Sequence, residues 1–311
     1  MKHAAVYLVA AVLIAAIWAL DAWVIPYSDF YITNIVIKIG YNLLAVMGLA
    51  LVLGFTGQFS LGHAGFMAVG AYAAGALALH TGLPPMLTTA IGGLAAALAG
   101  LVVGLPSLRL TGDYLAVVTL GFNGIIIVII QNTPFLGGAQ GLIGLPLATT
   151  FATTWTWVVI GGLFIRNVLN SPTGRVLRAV RDNEIATRSL GINTTHAKVV
   201  AFVIGAFWAG VAGALIGFLN SSLFPAQFQY DRSIELVAMV VLGGTGSLSG
   251  PLIAGAALTA LPELLRPIAE YRMVLYSVLL IVMMLVRPTG LLGSRELSDL
   301  VPWRRWFGRA V

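Results

Sequence analysis

Long apolar runs separated by short polar turns dominate this chain. Ten such runs can be marked, at 4–24, 31–53, 60–80, 86–107, 114–132, 155–170, 197–219, 233–249, 251–266 and 272–287. Most approach the roughly 20 apolar residues that one helix needs to cross a bilayer. A single run in lipid must satisfy its own backbone, so each is read as a helix. The run at 251–266 is short and holds Pro262 and Glu263, which suggests a broken or re-entrant segment. The pattern predicts an all-α polytopic integral membrane helix bundle with about ten transmembrane helices, in the range eight to ten. Residues 1–311 form one transmembrane domain.

Composition strengthens this reading. The chain has 311 residues, of which 59% are hydrophobic and 9% charged, against about 25% charged in soluble domains. Residues 39–108, 114–165, 199–230 and 236–262 contain no Asp, Glu, Lys or Arg. With no cysteine, disulfides and thiolate metal sites are excluded. The four histidines stand far apart at 3, 63, 80 and 196, so no metal site is expected. The net charge of +6 is read as topology rather than as nucleic-acid binding. With the N-terminus inside, 13 of the 17 basic residues fall on the inner side and Arg232, Arg266 and Arg272 on the outer. This bias places both termini in the cytoplasm of a cell bounded by such a membrane. The first run resembles a signal peptide, but Asp21 and Trp23 follow it and leave a poor cleavage site, so it is read as a retained helix. The tail at 288–311 mixes aromatic and basic residues around Trp303-Arg304-Arg305-Trp306-Phe307, which suits an interfacial anchor in membrane lipid.

Two polar islands stand out. The first, 171–196, falls on the inner side. Ser171 or Thr173 can cap a helix running from Arg175 to Leu190, and Gly191 ends it. Val176, Leu177, Val180, Ile185 and Leu190 are apolar, while Arg175, Arg178, Arg181, Asp182, Glu184 and Arg188 are charged, with Glu184 and Arg188 at a favourable i,i+4 spacing. Such an amphipathic helix either lies on lipid or fits a groove on another protein; the residues alone leave both open. The second island is the Gly-rich turn 54–65, with Thr56, Gly57, Gln58, Ser60, His63 and Gly65. Irregular backbone at membrane depth survives only inside protein or beside water, so this stretch lines or gates a path, or is a tight interhelical turn. A short echo at 243–250, with Gly243, Gly244 and Gly246, falls on the same side.

Smaller polar features complete the picture. Lys38 is expected to snorkel, and Asn42 is a path candidate. Asp231, Arg232 and Glu235 are read as an outer-rim charge cluster, and Glu263 as a partner of Arg266 at i,i+3. The outer loop at about 133–154 is uncharged, and Gly137, Gly138 and Gly141 give it the flexibility of a gate or docking rim. No Gly-x-x-x-x-Gly-Lys-Ser/Thr segment and no His-Glu-x-x-His segment is present, so neither a P-loop nor that zinc-enzyme motif is encoded. A secondary transporter would call for an intramembrane carboxylate, for which Glu263 is the candidate.

Several stretches carry a family resemblance. They are Gly54-Phe-Thr-Gly57-Gln58-Phe-Ser60-Leu-Gly62-His63-Ala-Gly65-Phe, Leu108-Arg109-Leu-Thr-Gly112-Asp113-Tyr114, Thr119-Leu-Gly-Phe and Gly137-Gly138-Ala-Gln-Gly141-Leu-Ile-Gly144-Leu-Pro146. Ser171-Pro172-Thr-Gly174-Arg175, Arg181-Asp-Asn-Glu184, Leu190-Gly191-Ile192 and Gly243-Gly244-Thr-Gly246 continue in the same order. Across roughly 30–295 the chain resembles the M-type (LivM-like) permeases of branched-chain amino acid ABC importers. The resemblance implies a bacterial inner-membrane subunit that is not itself an enzyme and holds no cofactor, ATP and Mg being bound by partners. Those partners are a second, H-type (LivH-like) permease chain, two cytoplasmic ATPase subunits (LivG/LivF-like) and a periplasmic or lipid-anchored substrate-binding protein. It also implies that 171–196 is the cytoplasmic coupling loop, with Arg175, Arg178, Arg181, Asp182, Glu184, Arg188 and Gly191 serving the ATPases. Ile185-Ala-Thr is less charged than many relatives would have there.

Overall fold

A computed structural model describes residues 2–107, 112–266, 271, 274, 277, 278, 281, 282, 285, 286 and 290–293. Its elements follow the apolar runs closely. They are α1 (Lys2–Trp23), α2 (Phe30–Leu49), α3 (His63–Thr81), α4 (Pro85–Ser107), α5 (Asp113–Gln131), α6 (Phe151–Asn170), α7 (Pro172–Asp182), α8 (Glu184–Ser189), α9 (Thr194–Asn220), α10 (Tyr230–Gly243) and α11 (Ser249–Leu264). A π-helical turn, Ala50–Gly54, extends α2. Among the described residues six helices are long and apolar enough to span a membrane: α1, α2 with its π turn, α3, α4, α5 and α9.

The runs at 233–249 and 251–266 become a hairpin of shorter helices, α10 with 14 residues and α11 with 16. Neither alone matches the roughly 20 residues of a full span. The first stops at Gly243 because Gly244 takes φ +110°, a conformation that only glycine adopts cheaply. The tenth run, 272–287, lies largely outside the described residues, and the anchor at 303–307 lies wholly outside them.

The bundle is built around α9, the longest helix. Interhelical contact in lipid gains little from hydrophobicity, so close backbone approach through small residues takes its place. A Cβ added at Gly70 of α3 would collide with the backbone of Gly210 on α9, and one at Gly92 of α4 with the Gly70 carbonyl. Gly48 of α2 meets Gly205 of α9 in the same way. Aromatic rings fill the remaining space. Trp208 packs on Trp157, Phe164 and Phe207, and Phe66 meets Phe202 edge-on at 5.4 Å.

The first helix lies at the periphery. It runs antiparallel to α6, where the Trp18 indole donates to Thr156 Oγ1 at 3.2 Å and Asn167 donates to Tyr7 Oη at 3.0 Å. At the end of the bundle opposite α7 and α8, two strands, β1 (Leu142–Ile143) and β2 (Ser222–Leu223), pair antiparallel. Tyr72 Oη donates to Leu223 O at 3.1 Å, so this small ribbon is fastened to α3. Gly137, Gly138 and Gly141 shape the loop that enters the ribbon.

Candidate functional site

The polar island at 171–196 folds into two helices, not one. Ser171 accepts from the Gly174 amide and caps α7, with Pro172 in the first turn. The expected continuous helix breaks at Asn183, whose extended backbone lets its side chain accept from Ala186 N at 2.9 Å and cap α8. A local Asn cap competes with helix continuation, and here it wins. Thr187 Oγ1 donates back to Ala179 O at 2.9 Å, closing α7 and α8 into a hairpin. Gly191 follows with φ +81°, and Asn193 caps α9.

The charged side chains divide into two sets. One set faces the membrane helices. Arg178 donates to Leu169 O at 2.8 Å and stands 5.9 Å above the Phe55 ring. Arg181 donates to Gly54 O at 3.1 Å, at the end of the π turn, and to Asp182 Oδ1 at 2.9 Å. Glu184 accepts from Lys198 of α9 at 2.6 Å rather than from Arg188, and the Lys198 side chain is only 8% exposed. The i,i+4 expectation for Glu184 is therefore corrected. A buried ammonium needs a carboxylate, and α9 supplies one across the turn. The second set faces outward: Arg175, Asp182 and Arg188 are exposed, as is the backbone at Gly191. Beside them, Ile185 and Leu190 are each 80% exposed, apolar side chains standing free on a polar hairpin.

The turn at 54–65 re-enters the bundle. Gly57, at φ +69°, lies against Arg181, and the Gln58 amide donates to Val52 O at 3.2 Å. The Leu61 amide donates to Thr119 Oγ1 on α5 at 3.0 Å, and the Ala64 amide donates to Ser233 Oγ on α10 at 3.0 Å. Thr56, Gln58, Ser60, His63 and Gly65 are buried within the chain. Among the described residues neither side-chain polar atom of Gln58 and neither ring nitrogen of His63 has a hydrogen-bond partner. The echo segment meets this turn directly, since Gly54 packs on the Thr245 backbone. Gly243 and Gly244 pack at the α10–α11 turn, where Leu291 N donates to Leu242 O at 2.7 Å and Leu292 N to Gly243 O at 3.2 Å. Gly246 lies in the same turn.

A second polar constellation, largely missed from the sequence, joins α2, α10 and α11 in the half of the bundle away from the hairpin. Asn42 Nδ2 donates to Thr259 Oγ1 at 2.9 Å, and Arg232 donates to Asn42 Oδ1 and to Glu235. Glu263 accepts from Lys38 at 3.0 Å and from Tyr31 Oη at 2.7 Å, while Arg266 stands 4.8 Å above the Tyr31 ring. The expected Glu263–Arg266 pair is thus replaced by a bond across 225 residues, Lys38 is paired rather than snorkelling alone, and Arg232 reaches Asn42 inside the bundle. A signal was available. Lys38 and Asn42 are four apart, as are Thr259 and Glu263, so antiparallel packing of α2 and α11 matches both polar pairs at once.

The fold and the hairpin define a multi-pass membrane protein of all-helical type, with an amphipathic hairpin bonded to its spans at one end. Residues 31–286 match the family described as the permease component of branched-chain amino acid transport systems. The chain belongs to this family. It is 36% identical to the high-affinity branched-chain amino acid transport system permease protein LivM of Salmonella typhimurium and 37% identical to that of Escherichia coli, over 79% of this chain and 66% of each relative. The matched region thus spans just under two thirds of those relatives' length. The permease protein LivH of Salmonella typhimurium is 31% identical over 54% of this chain and 56% of its own. No solved structure matches the chain.

Proposed function

We propose that this chain is one of the two membrane-spanning subunits of an ATP-driven importer for branched-chain amino acids. It resides in a bacterial inner membrane with the α7–α8 hairpin and both termini in the cytoplasm. Its partners are a second permease chain of the LivH kind, two ATPase subunits that bind ATP and Mg, and a substrate-binding protein that docks at the opposite end, near the Gly137–Gly141 loop. The observation that carries this reading is the two-sided hairpin. Its inward side chains grip Leu169, Gly54 and Lys198, while Ile185 and Leu190 stand exposed where a cytoplasmic partner can bury them. An element held on one face and bare on the other is suited to pass motion from an ATPase to α2 and α9, and rocking of packed helices then gives alternating access.

Docking and force transfer belong to different residues in this reading. Ile185, Leu190 and the exposed Arg175 and Arg188 meet the ATPase; Arg178, Arg181 and Glu184 connect the hairpin to the spans. The test is co-purification with the candidate ATPases, comparing wild type with an Ile185→Glu/Leu190→Glu variant. Loss of the ATPases from the variant, with the permease still folded, supports the docking face. A permease that purifies alone and carries leucine under an ion gradient without ATP overturns the importer reading. The carboxylate such a mechanism would use, Glu263, is already bonded to Lys38 and Tyr31, which speaks against it.

A further inference from the structure

A cleft of about 490 Å³ opens where the hairpin joins the bundle. Its walls are the 56–59 turn, the start of α5 at Gly112 and Leu115, and the α7–α8 junction from Val180 to Ile185, with Lys198 of α9 alongside. Three features distinguish it from an ordinary surface crevice. Both signs of charge line it, with Arg181 and Lys198 beside Asp182 and Glu184. Phe59, Leu115 and Val180 give it an apolar side. Gln58 lines it too, 3% exposed and with both its amide nitrogen and oxygen lacking a partner, a deficit that folded proteins seldom leave unfilled.

We propose that this cleft binds a free aliphatic α-amino acid as its zwitterion, taken from the compartment that the hairpin faces. The proposal rests on the substrate class given above, because the ligand is then the delivered product. A zwitterion needs a cationic partner for its carboxylate and an anionic one for its ammonium within a few ångströms, and few small solutes need both. Lys198 spends one of its three N–H donors on Glu184, which leaves two for a carboxylate. The Gln58 amide can accept from the ammonium or donate to the carboxylate. An aliphatic side chain would cover Phe59 and Leu115. The volume lies within the usual range for small-molecule sites, roughly 300–1,000 Å³.

Position gives the site its consequence. The walls belong to two bodies, the hairpin on one side and the 56–59 turn with α5 on the other. A ligand bridging them favours the arrangement in which it fits and opposes any motion that separates them. Bound product therefore slows the transport cycle from the inside, and influx falls as the internal pool rises.

The test uses the assembled transporter in proteoliposomes, with ATP in the lumen and the binding protein outside. Initial uptake of tritiated leucine is measured with the lumen empty of leucine or preloaded with it at about 10 mM, tenfold above a millimolar Kd. The wild type should slow severalfold on preloading. Phe59→Asp, which places a charge on the apolar wall at a partly exposed position, should lose the slowing, read as the ratio of uptake into preloaded and empty vesicles so that any change in its basal rate cancels. Direct binding of tritiated leucine to the purified complex without binding protein should weaken at least tenfold in Gln58→Leu. Uptake that ignores luminal leucine, with no direct binding, overturns the cleft proposal and leaves the transport reading intact. Absence of any ATP-dependent leucine uptake overturns both.

Discussion

The chain holds its helices together in two different ways. Around α9 the contacts are backbone against backbone: Gly70 on Gly210, Gly92 on Gly70, Gly48 on Gly205. At the hairpin end and between α2 and the α10–α11 pair, ion pairs and hydrogen bonds bridge the elements as well: Lys198 to Glu184, Arg181 to Gly54, Lys38 to Glu263. The difference is physical. A glycine contact has a steep repulsive wall and admits no substitute geometry, so helices joined by it move as one body. An ion pair between long side chains tolerates changes of an ångström and can be exchanged for water or another partner. The glycine seam is thus suited to be the rigid frame, and the polar ties to be the joints between that frame and the parts that move.

The sharpest way to break this comparison is to fill the seam. Gly70→Leu puts a side chain where the Gly210 backbone already lies, and neither helix can give way without parting. Overpacking of a tight core costs about 1–3 kcal/mol, and occasionally more, when backbone must shift; four added carbons against backbone put this site at the upper end. The expected outcome is loss of monodisperse protein in detergent, read by size-exclusion chromatography. A well-folded Gly70→Leu protein would show that α3 and α9 are not a rigid pair.

Next in size is the tie between the hairpin and α9. Lys198→Met leaves Glu184 without its partner. Removing one member of a fully buried pair costs about 3–5 kcal/mol, but Glu184 is one-third exposed and water can reach it, so about 1–2 kcal/mol is expected. The larger effect should be functional. If the proposed function holds, ATPase activity of the assembled complex should persist while leucine uptake falls about tenfold, and the exchanged pair Lys198→Glu/Glu184→Lys should restore part of it, since polarity of the tie matters less than its presence. Equal loss of ATPase activity and uptake would instead mean that Lys198 serves docking or folding.

These two regions were not equally legible in the sequence. The helices were, because an apolar run in lipid has no other backbone solution, and among the described residues the first seven runs kept their expected place. The amphipathic island at 171–196 was visible as an island. Its break at Asn183 was not, because a helix of good formers hides a capping residue whose choice depends on how α8 packs back on Ala179. Which arginines face inward also escaped. Arg181 and Arg188, seven apart, share one face of a continuous helical wheel, and only the break at Asn183 and the position of Gly54 make one a tie and leave the other exposed. The glycine seam was anticipated only as composition. Nothing in one chain says that Gly70 faces Gly210 rather than lipid, whereas the paired spacing of Lys38 with Asn42 and Thr259 with Glu263 did contain the α2–α11 register.

The smallest expected effect tests whether the joints away from the hairpin resemble those beside it. Lys38 is 43% exposed against 8% for Lys198, although Glu263 at 21% is drier than Glu184 at 32%, so the lysine of this pair gives up far less water on pairing. Exposed pairs contribute about 0–1 kcal/mol, and Tyr31 Oη still donates to Glu263 when the lysine is gone. Lys38→Met should therefore shift the melting temperature of the detergent-solubilised protein only slightly, and Tyr31→Phe/Lys38→Met together should shift it more than the sum of the two singles, since each donor partly covers for the other. Strict additivity would mean that Glu263 is satisfied by water in either case, and that α11 is held to α2 by Asn42 and Thr259 instead. The same double variant would then leave transport untouched, and the α10–α11 group would belong with the rigid frame rather than with the joints.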